Sequence, residues 1–411
     1  MNRRPLHGTE TGLMKRCLLL LLLLTFATPG WCARKVSVAQ LEELIRSLHD
    51  EKKSDPEVAA ALQQLEVSEQ LTHSTMDSLI KFAPGPLTTE QMFVLEARSA
   101  DLAPPTSDLP EITAPDASAQ RAMLIRAENY ISKTYEQLPP LAARKTTLRF
   151  QDSTEAIASS SGIASGAKDA VTSSGMSSSG SFIHYINAVA HPTVLEHGAF
   201  KSSAAKDSVR WGANGLIKAP EPEPSLLLVF KEAQAAGTVN WSRWELIAAK
   251  PIAVFSFEVP RPESKLEVAV CCFPNVKQAG IARFYTSTTG PLLGAERSGG
   301  GVAGNFQTNT DWNDFKSIVA YHGHFYIDPA TGTVLRIIVE AEFKPSDVVH
   351  QMDTRIDYGP VKAGQKTLIA PVRSVINLVV VPNGESGAGG YSQRTALFSS
   401  EYSEYHISES N

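Results

Sequence analysis

His322 and His324, separated by one glycine, are the residues whose type and spacing best suit a chemical site. On a β-strand, side chains at i and i+2 share a face, so two imidazoles there could bind one metal ion. Glu340 and Glu342 are expected on the same polar face, but the spacing fixes no third ligand. A metal-dependent hydrolase using His322 and His324 is therefore one hypothesis. The other is a solvated strand face on which charged side chains pair across strands, namely Arg336, Arg355, Glu340, Asp353 and Asp357.

Three other motif matches lack the context that their chemistry needs. Residues 299–304 fit the dinucleotide pattern G-x-G-x-x-G, but no helical pattern follows them to receive the phosphates. Residues 165–168 and 203–206 fit S-x-x-K, yet the accompanying S-D-N and K-T-G motifs are missing and no G-x-S-x-G elbow occurs. We therefore predict a protein that is not an enzyme and carries no cofactor.

The two histidines belong to the strongest structural pattern in the sequence, which runs from residue 321 to residue 343. Apolar side chains fall on odd positions, namely Tyr321, Phe325, Ile327, Leu335, Ile337, Val339, Ala341 and Phe343. This period of two predicts a pair of β-strands with one buried face. Because both runs keep the same parity, the loop between them needs an odd number of residues. Ala330, Thr331 and Gly332 would provide it, with Gly332 in the left-handed conformation.

The apolar side of this hairpin has two interpretations, which also apply to the aromatic strands near residues 240–259. Trp241 and Trp244 differ in parity, so at most one should face inward, whereas Phe255 and Phe257 share a face. Such side chains commonly form a core, but a curved sheet with an unfilled concave side would present them to an apolar ligand. The candidate ligand-binding residues are Trp244, Phe255, Phe257, Phe325, Ile337 and Val339.

Composition and the N-terminus indicate an exported globular protein. The 411 residues, 43% of them hydrophobic, suffice for a sizeable core. Residues 1–33 have the features of a signal peptide, since Lys15 and Arg16 precede an apolar run that Pro29 and Gly30 interrupt. Removing their four basic and one acidic residues changes the net charge from −5 to −8, which argues against a nucleic-acid partner. We expect a periplasmic or extracellular protein without a transmembrane segment in the mature chain.

Beyond residue 33 the sequence contains two cysteines, Cys271 and Cys272, which are adjacent in a strand-like run. Neighbouring side chains on a strand point to opposite faces, so a bridge between the two would distort the strand. A disulfide-built scaffold is excluded. Two buried thiols, a vicinal disulfide and an intermolecular bridge remain open alternatives.

The order of the patterns predicts an α+β fold. Residues 37–103 form a small N-terminal helical region that opens with a capping box at Ser37 and Gln40. Residues 104–117 are a Pro-rich linker. Residues 118–411 form a curved antiparallel sheet, a half-barrel with a helix at 118–138 on its concave side. Two Ser/Gly-rich insertions, at 153–181 and 286–309, are too poor in apolar residues to order themselves.

The second domain resembles the half-barrel of the periplasmic lipoprotein carriers, the LolA-like family. The resemblance rests on the helix at 118–138 that leads into KTTLRF, on GHFYIDPATGTVLR at 323–336, and on DYGPV and LIAPV at 357–361 and 368–372. WSRWE at 241–245 and PIAVF at 251–255 look like segments of uncharacterised secreted bacterial proteins with a helical front. The resemblance covers about residues 118–407 and implies the half-barrel fold. The carriers are shorter and lack the helical front, and none of their ligand contacts can be matched here.

Three functions follow from these observations. The first is an exported, non-enzymatic protein that holds a lipid, an acyl chain or a lipoprotein in the apolar cleft of the half-barrel. The second is a structural or interaction module of the cell envelope that docks a partner protein through its N-terminal helices. The third is the metal-dependent hydrolase at His322 and His324.

Overall fold

The computed structural model describes residues 34–152, 183–202, 217–218, 220, 223–247, 249–274, 312–380 and 394–408. Several sequence predictions lie outside these residues. They are the signal peptide at 1–33, the insertions at 153–181 and 286–309, and the motif matches at 165–168, 203–206 and 299–304. The backbone of Cys271 and Cys272 lies in a described strand. The described residues from Lys35 onward belong to one compact unit.

Six α-helices of four residues or more lie in the described part of the chain. They are α1 Val38–Asp50, α2 Asp55–Gln63, α3 His73–Leu79, α4 Pro86–Arg98, α5 Ala117–Tyr130 and α6 Leu226–Ala236. The predicted capping box at Ser37 and Gln40 is confirmed, and α2 has a second one at Ser54 and Glu57. A π-helical turn, Ile131–Tyr135, continues α5.

Ser118 and Thr88 have residue types typical of an N-cap, so the sequence alone predicts helix starts at both, but both helices begin earlier. Asp116, and not Ser118, caps α5, since its carboxylate accepts a hydrogen bond from the Ala119 amide at 2.7 Å. In α4 the helix begins at Pro86 rather than at Thr88, because proline suits the first helical turn. The side chain and amide of Thr88 instead bind the Asp55 carboxylate.

The described strands form one large open antiparallel sheet and two small ones. The strands are β1 Arg34–Val36, β2 Leu65–Val67, β3 Leu141–Asp152, β4 Ile183–Glu196, β5 Ala199–Ser202, β6 Asn240–Ile247, β7 Lys250–Val259, β8 Glu267–Pro274, β9 Trp312–Ile318, β10 Ala320–Ile327, β11 Val334–Glu342, β12 Val349–Ala363, β13 Lys366–Val380 and β14 Arg394–Ile407. The ten-stranded sheet has the order β5-β4-β3-β14-β13-β12-β11-β10-β7-β6, while β1 pairs with β2 and β8 with β9. The α+β class with an antiparallel sheet is thus confirmed.

The hairpin predicted around residue 330 is present as β10 and β11. His322 lies opposite Glu340 and Phe325 opposite Ile337, so odd and even positions keep to separate faces in this part of the hairpin. The predicted odd-numbered loop is wrong, because the Asp328 amide donates to the Thr333 carbonyl and the loop between them, 329–332, has four residues. A register shift next to the loop restores the alternation, and it places Val334 in the main core and Leu335 on the other face. Gly332 has φ +77°, the left-handed conformation that the loop requires. A Cβ atom there would also lie 2.3 Å from the Arg126 carbonyl carbon of α5, which leaves room for glycine alone.

The main core lies between one face of the ten-stranded sheet and helices α5 and α6. It contains Phe255, Phe325 and Ile337 of the sheet together with Ala127 of α5 and Phe230 of α6, all nearly inaccessible to solvent. Burial of this much apolar surface is the main source of stability in such a fold. The two helices therefore fix the odd-numbered face of β10 and β11 in the interior.

The helical region has a core of its own and also contacts the sheet. Leu41 and Ile45 of α1 pack with Leu62 of α2 and other apolar residues of the region. A separate cluster joins α4 to the sheet and contains Val94, Ala97, Ala100, Phe150, Ile183, Val375 and Leu397. Helix α4 is therefore the element through which the helical region rests on the sheet.

Candidate functional site

Five of the six predicted apolar ligand-binding residues lie inside the main core. Phe325 lies opposite both Phe255 and Ile337, so β7, β10 and β11 bring these three side chains into one row. Phe257 and Val339 form the next row, on either side of Gly323. All five are at most 3% exposed.

The space in front of these rows is occupied by helix α6. The Phe230 ring lies edge-on to Phe325 with 5.2 Å between ring centroids, and Phe257 stacks on Phe325 at 4.4 Å. These side chains therefore act as core residues in the structure. A ligand-binding role for them stays a prediction and would require α6 to move.

Trp244, the sixth residue, lies at the edge of that core together with Trp241. The expectation that at most one of the two faces inward is wrong, because the pairing of β6 with β7 shifts register between Trp241 and Arg243. This β-bulge adds one residue and places both indoles on the same side. Their rings lie 5.0 Å apart, and Trp244 Nε1 donates to the Thr113 carbonyl at 3.0 Å.

His322 is held by two carboxylates on the adjoining strand. Its Nε2 lies 3.3 Å from Glu340 and its Nδ1 lies 3.1 Å from Glu342. The hydrogen bond to Glu340 is the main cause that raises the pKa of His322 to about 9, so the imidazole is protonated at neutral pH. A protonated imidazole offers no lone pair to a metal ion.

His324 has the opposite protonation. Burial, followed by the positive charge of Arg243, lowers its pKa to about 4, and the ring is neutral at neutral pH. Its Nδ1 is buried and has no hydrogen-bond partner among the described residues. Over the same part of the chain, no group of three or more His, Cys, Asp or Glu side chains is arranged to hold a metal ion. The hydrolase hypothesis stays an untested prediction.

The charged residues beside these histidines on β11 and β12 are largely covered, in contrast to the solvated face expected from the sequence, whereas the side chain of His322 is 46% exposed. Arg336 and Arg355 both bind Asp357, with closest distances of 2.5 and 3.0 Å, and their side chains are only 12% and 13% exposed. Burial alone would raise the pKa of Asp357, but the two guanidinium groups outweigh it and lower the pKa to about 2. The two arginines therefore share one carboxylate, which compensates one of their two positive charges.

The end of α4 and the residues after it bind this polar face. Arg355 donates to the Ala100 carbonyl at 3.0 Å, and Asn377 donates to the Ala97 carbonyl at 3.4 Å. Arg373 forms an ion pair with Glu96 at 3.2 Å. Cations and donors suit a helix C-terminus, whose last carbonyls lack partners within the helix. The sheet therefore adds side-chain donors at the end of α4, where the amides of Ser99 and Ala100 already donate to Leu95 and Ala97.

A buried ion pair that the sequence analysis missed lies at the other end of the sheet. Lys145 Nζ lies 2.6 Å from Glu223, which also accepts hydrogen bonds from Ser374 at 2.7 Å and from Tyr402. Burial by itself raises the pKa of Glu223, but Lys145 and the hydrogen bonds lower it below its usual value. The signal was available in β3, where Lys145, Thr147, Arg149 and Gln151 share one face, and all four are buried.

The outer side of α1 carries a shallow acidic depression of about 670 Å³. The residues that line it are Ala39, Glu42, Glu43, Arg46, Ser47, Asp50 and Glu51. The apolar positions Leu41 and Ile45 of the same helix point into the core of the helical region. Helix α1 therefore presents its charged side to the surroundings.

In the part of the chain that the structure describes, no helix is long and apolar enough to cross a membrane. Searches of protein-family models, curated proteins and solved structures found no match for the chain.

Proposed function

We propose that the protein is an exported, non-enzymatic interaction module of the cell envelope that docks a basic partner protein through its helical region. The supporting observation is the acidic depression on α1, which combines Glu42, Glu43, Asp50 and Glu51 with a single arginine, Arg46. Opposite charge across an interface accelerates association and selects the partner.

The way the helical region is held leaves this surface open. Helix α4 and residues 99–101 make the contacts with the sheet, through the α4 cluster and the bonds to Arg355, Arg373 and Asn377. Helix α1 instead packs on its own region, where Arg46 lies over the Phe82 ring at 4.7 Å. A partner can therefore bind α1 while the sheet serves as a rigid support.

A photo-crosslinking amino acid at Ser47 in the full chain tests this proposal. We expect a reproducible crosslink to one basic envelope protein. Binding of that purified protein is then measured. The double substitution Glu43→Lys with Asp50→Lys should raise the Kd of the complex by roughly tenfold or more, because it replaces negative interface charges with positive ones. Glu263→Lys, on an exposed turn far along the chain, is the matched control. No crosslink, or an equal effect of the control, would reject the proposal.

A second candidate is the binding of a lipid or acyl chain between the sheet and α6. Its support is the aromatic cluster of Phe230, Phe257 and Phe325, which continues to the half-buried Trp241 and Trp244 at the edge strand β6. The half-barrel curvature and the concave position of the helices, both implied by the carrier resemblance, belong to this candidate. Displacement of α6 would open the space that the chain of a lipid could fill.

Titration of the delipidated protein with a fluorescent fatty acid separates the two candidates. The lipid candidate predicts saturable binding that Trp244→Ala or Phe257→Ala weakens and that Glu43→Lys leaves unchanged. Binding that does not saturate, or that none of these core substitutions alters, would reject the lipid candidate and leave the α1 proposal intact.

A further inference from the structure

Asp101, which follows the end of α4, makes a contact between acidic side chains with the sheet. Asp101 directly follows Ala100, whose carbonyl accepts a hydrogen bond from Arg355 of β12 at 3.0 Å, and its carboxyl group faces that of Asp353, two residues before Arg355 on the same strand. Asp353 is 7% exposed, and Oδ1 of Asp101 is buried without a hydrogen-bond partner among the described residues. Two carboxyl groups can share a hydrogen bond only while one of them carries a proton.

The surroundings of this pair add negative charge. Glu340 lies directly opposite Asp353 on β11, so three carboxyl groups meet where the helical region joins the sheet. His322 is the cation of the same row on β10, but it is shared between Glu340 and Glu342.

The positive charges nearby are arginines that also bind other carboxylates. Arg336 and Arg355 share Asp357, and Arg373 binds Glu96 of α4. The charge of Arg355 also acts on Asp101 and opposes the rise of its pKa. Of the uncharged neighbours, Asn377 donates to Ala97 and Gln351 donates to Asp353. Ionisation of both members of the pair would still place three carboxylates together, since Glu340 lies opposite Asp353.

We propose that Asp101 and Asp353 form a proton-dependent latch, which holds the end of α4 on the sheet while the pair shares a proton and loosens it when both carboxylates are ionised. Loosening would lift Val94, Ala97 and Ala100 from the apolar sheet residues that they cover. The latch operates whether or not a partner binds α1.

The direction of the pH effect follows from the protonation of the pair. Burial, then neighbouring negative charge, raises the pKa of Asp101 to about 6 and that of Asp353 to about 7. A carboxyl whose pKa is raised in the docked state binds more protons there than in the released state. Docking is therefore most favoured below the ordinary carboxyl pKa of about 4, weakens as the pH rises above it, and reaches its minimum once the pH has passed about 7. Between pH 5.5 and 7.5 His322 stays mainly protonated and His324 stays neutral, because their pKa values are about 9 and 4.

Hydrogen exchange of the full chain at pH 5.5 and 7.5, corrected for intrinsic rates, tests the latch. We expect the protection of amides in α4 and residues 99–102 to fall roughly tenfold or more at the higher pH, since one pKa unit corresponds to a tenfold effect. Amides of α6, which packs in the main core away from the pair, provide the internal reference and should keep their protection.

Asp353→Asn separates the latch from a general effect of pH. The amide is a permanent donor to Asp101, so the protection of α4 should become independent of pH within roughly twofold. Asp101→Asn tests the same contact from the helical side and serves if the first variant fails to fold. Asp50→Asn, an exposed carboxylate on α1, should retain the pH dependence of the wild type. Equal wild-type protection at both pH values, or unchanged pH dependence in a folded variant of the pair, would overturn the proposal.

Discussion

The ammonium group of Lys145 lies 2.6 Å from the carboxylate of Glu223, and the two side chains are only 8% and 2% exposed. Glu223 belongs to the segment that precedes α6, whereas Lys145 is in β3. Because Ser374 of β13 and Tyr402 of β14 also donate to the carboxylate, its oxygens are satisfied inside the protein. The pair therefore ties this segment to three strands of the sheet.

Removal of the lysine charge should destabilise the protein strongly. Lys145→Met leaves the carboxylate of Glu223 buried without its cation, and we expect a loss of about 3–5 kcal/mol in the free energy of unfolding. Urea denaturation provides the measurement. Lys201→Met is the matched control, because Lys201 is 66% exposed where it pairs with Glu196, and its loss should stay below about 1 kcal/mol. Similar losses for both variants would mean that the buried pair has no special role.

Gly323 is a second position where a small change should have a large effect. A Cβ atom there would lie 1.9 Å from the Ile338 carbonyl oxygen and 3.0 Å from Cζ of Phe257. The carbonyl belongs to a central strand and cannot withdraw without breaking the pairing of β10 and β11. We expect Gly323→Ala to cost about 3 kcal/mol or more in unfolding free energy.

Gly364→Ala provides the comparison for this prediction. Gly364 has φ +64°, but a Cβ there meets nothing within 4 Å, so the cost is limited to the left-handed backbone, about 1–2 kcal/mol. Thermal unfolding of the two variants should therefore rank Gly323→Ala as clearly the less stable. The reverse order would show that steric contact at Gly323 is relieved by movement of the strand.

Sequence reasoning succeeded where the structure depends on neighbours along the chain. The β10–β11 hairpin with Gly332 in its loop follows from alternation and turn chemistry. The capping box at Ser37 follows from an equally local signal. In these cases the residues that set the conformation lie within a few positions of each other.

Prediction from the sequence failed where contacts join distant segments or where a strand is irregular. The bulge after Trp241 cannot be deduced from strict alternation, yet it brings Trp241 and Trp244 to one side. The polar face of β10–β12 was expected in water because nothing in its sequence shows that residues 96–101 cover it. In β3, polar residues such as Lys145 were not recognised as interior because their partner, Glu223, is far along the chain.

Phe230 of α6 tests whether the space in front of the aromatic strands is a tight core. Its ring is 1% exposed and contacts Phe325. Phe230→Ala should lower the free energy of unfolding by about 3–5 kcal/mol, since it leaves a cavity that the sheet and α6 fill only in part. Ile125→Ala, at a side chain that is 50% exposed on α5, should change it by less than about 0.5 kcal/mol. A small loss for Phe230→Ala in urea denaturation would indicate that α6 packs loosely.

His322 and His324 share one face of β10 but should titrate far apart in NMR experiments. We expect a pKa of about 9 for His322 and of about 4 for His324. Because Glu340 contributes most to the first shift, Glu340→Gln should bring the pKa of His322 back toward its usual value near 6.5. Glu263→Gln, on an exposed turn, should leave both histidines unchanged. If His322 and His324 of the wild-type protein both titrated near 6.5, the two different environments would be contradicted.

The two histidines should also act on stability in opposite parts of the pH range. The raised pKa of His322 means that its contribution is fully present below about 6.5 and is lost as the pH rises through about 9. For His324 the pKa is lowered, so the unfolded chain takes up a proton first and stability is lost as the pH falls from about 6.5 to 4. In a plot of the urea unfolding midpoint against pH, His324→Gln should therefore flatten the acid limb, and His322→Gln should flatten the alkaline limb. If both variants changed the same limb of the curve equally, the two histidines would share one kind of environment. That result would refute this assignment.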